Sequence, residues 1–121
     1  MVNDACNIVK TDLQAGSYTY YTTSFPIYIR DQDKMEGGKT RIEIYGGIRI
    51  PIMSAEGSVI FYDRSCTIEI QTTSTTIRDN LYTDVLNILK AASNTYTITD
   101  IRDYPDTKNI FRVQIDVDIL I

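Results

Sequence analysis

The chain contains no histidine and no tryptophan, and only two cysteines and three prolines occur among its 121 residues. Histidine is the commonest general base, proton shuttle and metal ligand, so its absence excludes a Ser-His-Asp or Cys-His catalytic site within one chain. The two cysteines, Cys6 and Cys66, lie far apart and form no C-x-x-C pair. We therefore expect two reduced, structural thiols. The composition favours a globular protein that is not an enzyme and that needs no cofactor.

Basic clusters and long apolar runs are also missing. The chain has 12 Lys and Arg against 16 Asp and Glu, a net charge of −4, with no block of five basic residues. A mildly acidic surface repels a DNA duplex, so we expect no nucleic-acid-binding surface. No apolar stretch approaches the roughly 20 residues that cross a bilayer, which argues against a membrane partner. Residues 1–13 lack the layout of a signal peptide.

The spacing of apolar residues predicts two helices. Residues 2–14 carry one apolar stripe at spacings of three and four, and Gly16 follows as a stop. The stronger pattern runs from Ile77 to Ala92, with Thr76 as the expected N-cap. Both segments are therefore predicted to bury one side against a sheet.

Alternation of apolar and polar residues predicts the strands. They are expected at residues 26–30, 40–45, 48–53, 59–72, 96–104 and 110–121. Gly46-Gly47 predicts a two-residue hairpin turn between the second and third of these strands. The pattern is strongest in the last strand, where alternate residues from Phe111 to Ile121 are apolar.

These elements predict an α+β fold, with residues 1–121 forming a single domain. One mixed, mainly antiparallel β-sheet, with the N-terminal helix and the long helix packed on one face, would bury every apolar stripe. The opposite face of the sheet would be polar. Its expected residues are Thr67, Glu69, Gln71, Gln114, Asp116 and Asp118.

The carboxylates of this face are the chief candidates for chemistry. Asp116 and Asp118 are two residues apart on one strand, so their side chains project from the same face, and Glu69 joins them if the strands adjoin. Such a set would suit a hard cation such as Mg²⁺. We favour a solvated sheet face, because charged side chains seldom sit buried. We predict no catalytic, cofactor or metal site.

The order of elements in the second half is distinctive. A strand runs into a Thr/Ser-rich helix start, and the helix is followed by a short strand, a turn and a closing strand, in the segment YDRSCTIEIQTTSTTIRDNLYTDVLNILKAASNTYTITDIRDYPDTKNIFRVQIDVDILI. This order resembles that of the tail-terminator (tail-completion) proteins of long-tailed bacterial and archaeal viruses. In the first half, a helix followed by PIYIRDQDK and IEIYG fits the same layout.

The resemblance implies a structural role in the virion. Proteins of this family form a hexameric ring on the head-proximal end of the tail tube, where the ring ends tube growth and joins the tail to the head or neck. The partners would be other copies of the chain, the tail tube protein and head or neck proteins, with DNA as passing cargo. The location would be the virion tail, and the host cytoplasm during assembly.

Interface and lumen residues follow from side-chain chemistry. An acidic lumen would let DNA pass, because like charges repel, and Glu69, Asp116 and Asp118 are the candidates. The contact candidates are a charged loop, an apolar hairpin arm and a tyrosine cluster, although for the arm and the tyrosines packing on the core is the favoured interpretation. These predicted interface residues are Tyr18, Tyr20, Tyr21, Asp31, Asp33, Lys34, Met35, Ile48, Arg49, Ile50, Ile52 and Met53.

Three other functions remain as alternatives. The chain could be another head–tail joining or neck protein, which ring symmetry and position in the virion would distinguish. It could be a cellular peptide- or ligand-binding module that uses the polar sheet face and stays monomeric. A small metal-dependent enzyme would instead be stabilised by its metal on thermal melting.

Overall fold

A computed structural model describes residues 4–19, 26–30, 40–53, 57, 59–107 and 110–120, and gives only the backbone at residues 4, 47–53, 59–64, 105–107 and 120. The elements in chain order are α1 (Asp4–Ala15), β1 (Ile27–Ile29), β2 (Arg41–Met53), β3 (Val59–Thr72), α2 (Thr75–Ala91), β4 (Thr95–Thr107) and β5 (Ile110–Leu120). The strands form one sheet in the order β1-β2-β3-β5-β4. Among the described strands only the β1–β2 pair is parallel, so the predicted mixed α+β fold is confirmed.

The core lies between one face of the sheet and the two helices. α1 packs on β1, β2 and β3, while α2 packs on β3, β5 and β4. Alternate strand residues point into this layer, as the sequence pattern predicts. The fully buried side chains include Val9 and Leu13 of α1, Leu81 and Val85 of α2, and Ile42, Ile44, Ile68, Ile70, Ile115, Val117 and Ile119 of the sheet. The opposite face of the sheet is thus left to polar residues.

The predicted hairpin at Gly46-Gly47 is wrong. β2 continues through both glycines and pairs with β3 from Arg41↔Gln71 to Met53↔Val59. Between the pairs Gly46↔Cys66 and Arg49↔Arg64, β2 carries one residue more than β3, which is a β-bulge. Gly46 has φ +89°, and a bulge uses that conformation as readily as a hairpin turn does. The reversal of the chain falls instead between Met53 and Val59.

The long helix α2 begins differently from the prediction. Ser74, not Thr76, is the N-cap, and its Oγ accepts a hydrogen bond from the Ile77 amide at 3.3 Å. Ser74 has extended backbone angles, which a cap residue requires, and serine accepts this bond as well as threonine does. Lys90 lies in the last turn, where the helix dipole favours a positive charge.

Both cysteines lie in the core, and no disulfide joins them. Cys6 of α1 and Cys66 of β3 are buried, and the Cys6 Sγ is 3.6 Å from the carbonyl oxygen of Gly46. A hydrogen bond between the two thiols lowers the pKa of Cys6 and raises that of Cys66. This buried placement agrees with the structural role that the sequence predicts for the two thiols.

Gly16 closes α1 against the side chain of Ile88 on α2. A β-carbon at this position would come within 3.0 Å of three Ile88 side-chain atoms. We expect Gly16→Ala to lower the free energy of unfolding by about 2 kcal/mol, because an extra methyl group overpacks this contact. In an Ile88→Ala background the same substitution should cost much less. Urea denaturation of the four proteins measures both costs, and an equal cost in the two backgrounds would contradict the packing explanation.

Candidate functional site

The helix-free face of the sheet carries a row of polar side chains that crosses four strands. Glu43 of β2 lies opposite Glu69 of β3, Glu69 opposite Gln114 of β5, and Gln114 opposite Arg102 of β4. We call this surface, with the residues that bond to the row, the polar face. Strand alternation places all of these side chains on the side away from the helices.

Two carboxylates of the polar face are buried although no helix covers them. Glu43 is 2% exposed and Glu69 is 4% exposed. Two neighbouring carboxylates repel each other unless a cation lies between them. Arg30, which follows β1, is that cation: its Nε is 3.2 Å from Glu43 Oε1 and its Nη2 is 3.4 Å from Glu69 Oε2. Arg41 adds a second contact, 3.2 Å from its Nε to Glu43 Oε2.

Amide and hydroxyl donors complete the coordination of these carboxylates. Gln71 donates to Glu43 Oε2 at 2.5 Å and also to Glu69 Oε2. Gln114 donates to Glu69 Oε1 at 2.6 Å, and the Tyr45 hydroxyl donates to the same oxygen at 3.4 Å. The expectation that Glu69 lies on a solvated face is therefore wrong: its neighbours on three strands exclude water from it.

Tyr45 supports this network from β2. The guanidinium of Arg30 stacks over its ring, 3.7 Å from the centroid, which fixes the arginine between the two glutamates. Burial and the nearby Glu69 carboxylate raise the pKa of Tyr45 to about 12. The hydroxyl therefore stays protonated near neutral pH and can donate its hydrogen bond.

A second cluster forms where β5 meets the outer strand β4. Asp100 and Asp116 lie opposite each other, and Arg102 Nη1 bonds both, at 2.6 Å and 2.7 Å. Asp116 Oδ1 also accepts from Thr67 at 2.7 Å. The hydrogen bond from Arg102 holds the pKa of Asp116 below its ordinary value. Asp116 is thus paired, whereas Asp118 has no ion pair among the described residues.

This pairing predicts a pH dependence of stability. An acid whose pKa is lowered by folding contributes full stability above its unfolded pKa, here 3.8, and loses that contribution as the pH falls through the lower folded pKa. We expect Asp116→Asn to lower the urea midpoint at pH 7, and the gap to wild type to close well below pH 3.8. Asp118→Asn is the matched control and should change little. A gap that stays constant over this pH range would contradict the ion pair.

The predicted interface residues fall into three groups. Tyr20, Tyr21, Asp31, Asp33, Lys34 and Met35 lie outside the described residues. The backbone of residues 48–53, which includes Ile48, Arg49, Ile50, Ile52 and Met53, forms the second half of β2 instead of a separate arm. Tyr18 packs on the core and donates from its hydroxyl to the Leu13 carbonyl at 2.6 Å. Its contact role stays a prediction.

The segment around Tyr18 is anchored to α2. Asp84, which is buried on that helix, accepts from the backbone amide and from the hydroxyl of Thr19, both at 2.9 Å. Burial and the charge of Asp84 raise the pKa of the Tyr18 hydroxyl above its usual range. These contacts hold the chain that leaves α1 against the body of the protein.

Sequence reasoning missed an apolar edge at the outer strand β4. Ile98 is 41% exposed and Ile101 is 42% exposed, although both point to the face that carries the helices. They share that face despite a spacing of three, because β4 carries an extra residue, Thr99, between the pairs Ile98↔Val117 and Asp100↔Asp116. Tyr104, on the polar face, is 39% exposed. We call these three residues the β4 edge; the broken alternation in YTITDIRDY is its signal in the sequence.

No protein-family model and no curated protein sequence matches this chain. Within the described part of the chain, neither helix is long and apolar enough to cross a membrane. The same residues contain no group of three or more cysteine, aspartate or glutamate side chains placed to hold a metal ion.

Proposed function

We propose that this chain is a structural protein of a viral tail. In this proposal, copies of the chain form a ring at the head-proximal end of the tail tube, end the growth of the tube and join the tail to the head or neck. The partners are further copies, the tail tube protein and head or neck proteins. The role is one of shape and assembly, with no catalytic step.

The observation that carries this proposal is the β4 edge. β4 is the last strand of the described sheet and has 13 residues, so one side of its backbone is available for pairing. Exposed isoleucines beside such an edge favour a protein contact, because an open apolar strand edge is otherwise an aggregation hazard. A second copy of the chain is the occupant that suits a self-assembling protein.

The two ends of the described sheet support a head-to-tail arrangement. β4 forms one end with 13 residues, while β1 forms the other with three. A contact between unlike surfaces is heterologous, and such contacts close into a ring when the rotation between subunits allows it. A six-membered ring is the form that the family resemblance implies.

The polar face is the proposed lining of the ring. Of the three predicted lumen carboxylates, Glu69 and Asp116 are bound to arginines, and Asp118 has no ion pair within the described residues. Among the described residues of this lining, Asp118 and the guanidinium of Arg112 lack an ion pair, and their opposite charges balance. A lining that is close to neutral attracts DNA weakly. Such a surface suits DNA that passes without binding.

Solution mass tests this proposal. Light scattering on the purified chain over a wide concentration range, followed by negative-stain electron microscopy, should give a particle of six times the 13.8 kDa subunit mass with a central hole. Rings of another size would favour a different head–tail joining protein. A chain that is monomeric throughout, or that stops at a two-fold dimer, would contradict the proposal.

A further inference from the structure

A depression lies on the polar face beside the two buried glutamates. Its volume is about 340 Å³, and its lining residues are Arg30, Glu69, Gln71, Tyr104, Arg112 and Gln114. Arg112 of β5 lies opposite Gln71 of β3 on one side and opposite Tyr104 of β4 on the other. The depression therefore sits over the middle of the sheet, on rigid strands.

Arg112 differs from the other arginines of the polar face. Arg30, Arg41 and Arg102 each contact at least one carboxylate within 3.4 Å. The backbone of Arg112 pairs with β3 and β4, but its guanidinium makes no hydrogen bond or ion pair with any residue in the described part of the chain. Its side chain is nevertheless partly buried. The guanidinium therefore loses part of its hydration and gains no hydrogen bond within the protein in exchange. A guanidinium in that position is suited to an external acceptor.

The charge of the lining defines what that acceptor is. Arg30 and Arg41 together balance the two carboxylates Glu43 and Glu69, so Arg112 leaves one excess positive charge at the depression, on a protein that is acidic overall. Glu69 cannot neutralise Arg112, because its oxygens are bound by Arg30, Gln71, Gln114 and Tyr45. A ligand with a single negative charge balances the lining, whereas a doubly charged phosphate would be repelled by Glu69.

We propose that this depression binds a carboxylate, with Arg112 as the residue that contacts it. The planar fork of the guanidinium matches a carboxylate with two parallel hydrogen bonds. Arg30 and Tyr104 line the same depression. The carboxylate belongs to an aspartate or glutamate side chain of another protein surface or to a free small acid. The site does not depend on ring formation.

Nuclear magnetic resonance titration of the full chain tests this site. The probe is aspartate blocked at both ends (N-acetyl-aspartate amide), and the neutral counterpart is blocked asparagine. The reporters are the side-chain Nε–H resonance of Arg112 in the wild-type chain and the side-chain amide resonances of Gln71 and Gln114, which line the same depression, in every variant. We expect a saturable shift with blocked aspartate and none with blocked asparagine. Arg112→Gln should weaken binding at least tenfold, while Lys90→Ala, an exposed charge on α2, should leave it unchanged.

Further probes separate the sources of the carboxylate. An acidic hexapeptide that binds much more tightly than blocked aspartate identifies a protein side chain, and equal affinity identifies a free acid; both support the site. Equal shifts with sodium chloride, tighter binding of inorganic phosphate, or unchanged binding by Arg112→Gln would overturn it. If Arg112→Gln does not fold, the wild-type titration still tests the site, because a shift with blocked aspartate and none with blocked asparagine supports it and equal shifts with the two contradict it. If the chain is monomeric but binds blocked aspartate, the ring proposal fails while the carboxylate site stands.

Discussion

Replacing Ile98 and Ile101 with aspartate is expected to leave the chain monomeric at concentrations where the wild-type protein forms rings. Each isoleucine is about two-fifths exposed, so a subunit contact over the β4 edge buries the remaining apolar surface. Full burial of an isoleucine is worth about 1.5–3 kcal/mol, and a charge in its place adds a desolvation cost. For two residues, we expect association to weaken by about 100-fold or more, since each 1.4 kcal/mol is tenfold.

The fold should tolerate these changes, because neither isoleucine is a buried core residue. Light scattering measures the oligomeric state, and urea denaturation checks that stability is retained. The matched control is Gln14→Asp/Asn87→Asp, which adds two charges of the same sign at exposed helix positions. The β4 edge would be excluded as the contact if the isoleucine variant still formed rings. Equal disassembly of the control would point to net charge as the cause.

Local patterns were sufficient to predict most of the fold. β5 alternates over its whole length, and α2 keeps one apolar stripe over several turns, so each has only one way to bury its apolar residues. The polar character of the helix-free face followed from the same alternation. These features depend on neighbours in sequence, and a single sequence contains that information.

Features that depend on strand register were not predictable. Gly46-Gly47 suits a bulge and a hairpin equally, and only the length of β3 as a partner for β2 decides between them. The burial of Glu69 depends on Arg30 after β1, on Gln71 of its own strand and on Gln114 of β5. The exposure of Ile98 depends on the place of β4 as the outer strand of the described sheet. No local pattern states which strands are neighbours.

Glu43→Ala is expected to lower the free energy of unfolding at pH 7 by about 2–3 kcal/mol. Removing one partner of a buried ion pair typically costs about 3–5 kcal/mol, and the value here is reduced because Arg30 keeps 36% of its side chain exposed and can regain water. The substitution leaves Arg41 without its only carboxylate among the described residues. Urea denaturation measures the loss, and Thr73→Ala, at an exposed position after β3, is a control expected to change stability little.

A double-mutant cycle with Arg30 tests why Glu43 matters. Arg30→Ala leaves Glu43 and Glu69 adjacent, buried and without the cation that separates them, so this variant should also be strongly destabilised. Adding Glu43→Ala to it removes one of the two repelling charges, and the double variant should therefore lose less stability than the sum of the two single losses. A coupling of about 1–2 kcal/mol is expected for residues in direct contact. Losses that add within about 0.5 kcal/mol would mean that the two side chains stabilise the sheet independently, through packing rather than through their ion pair.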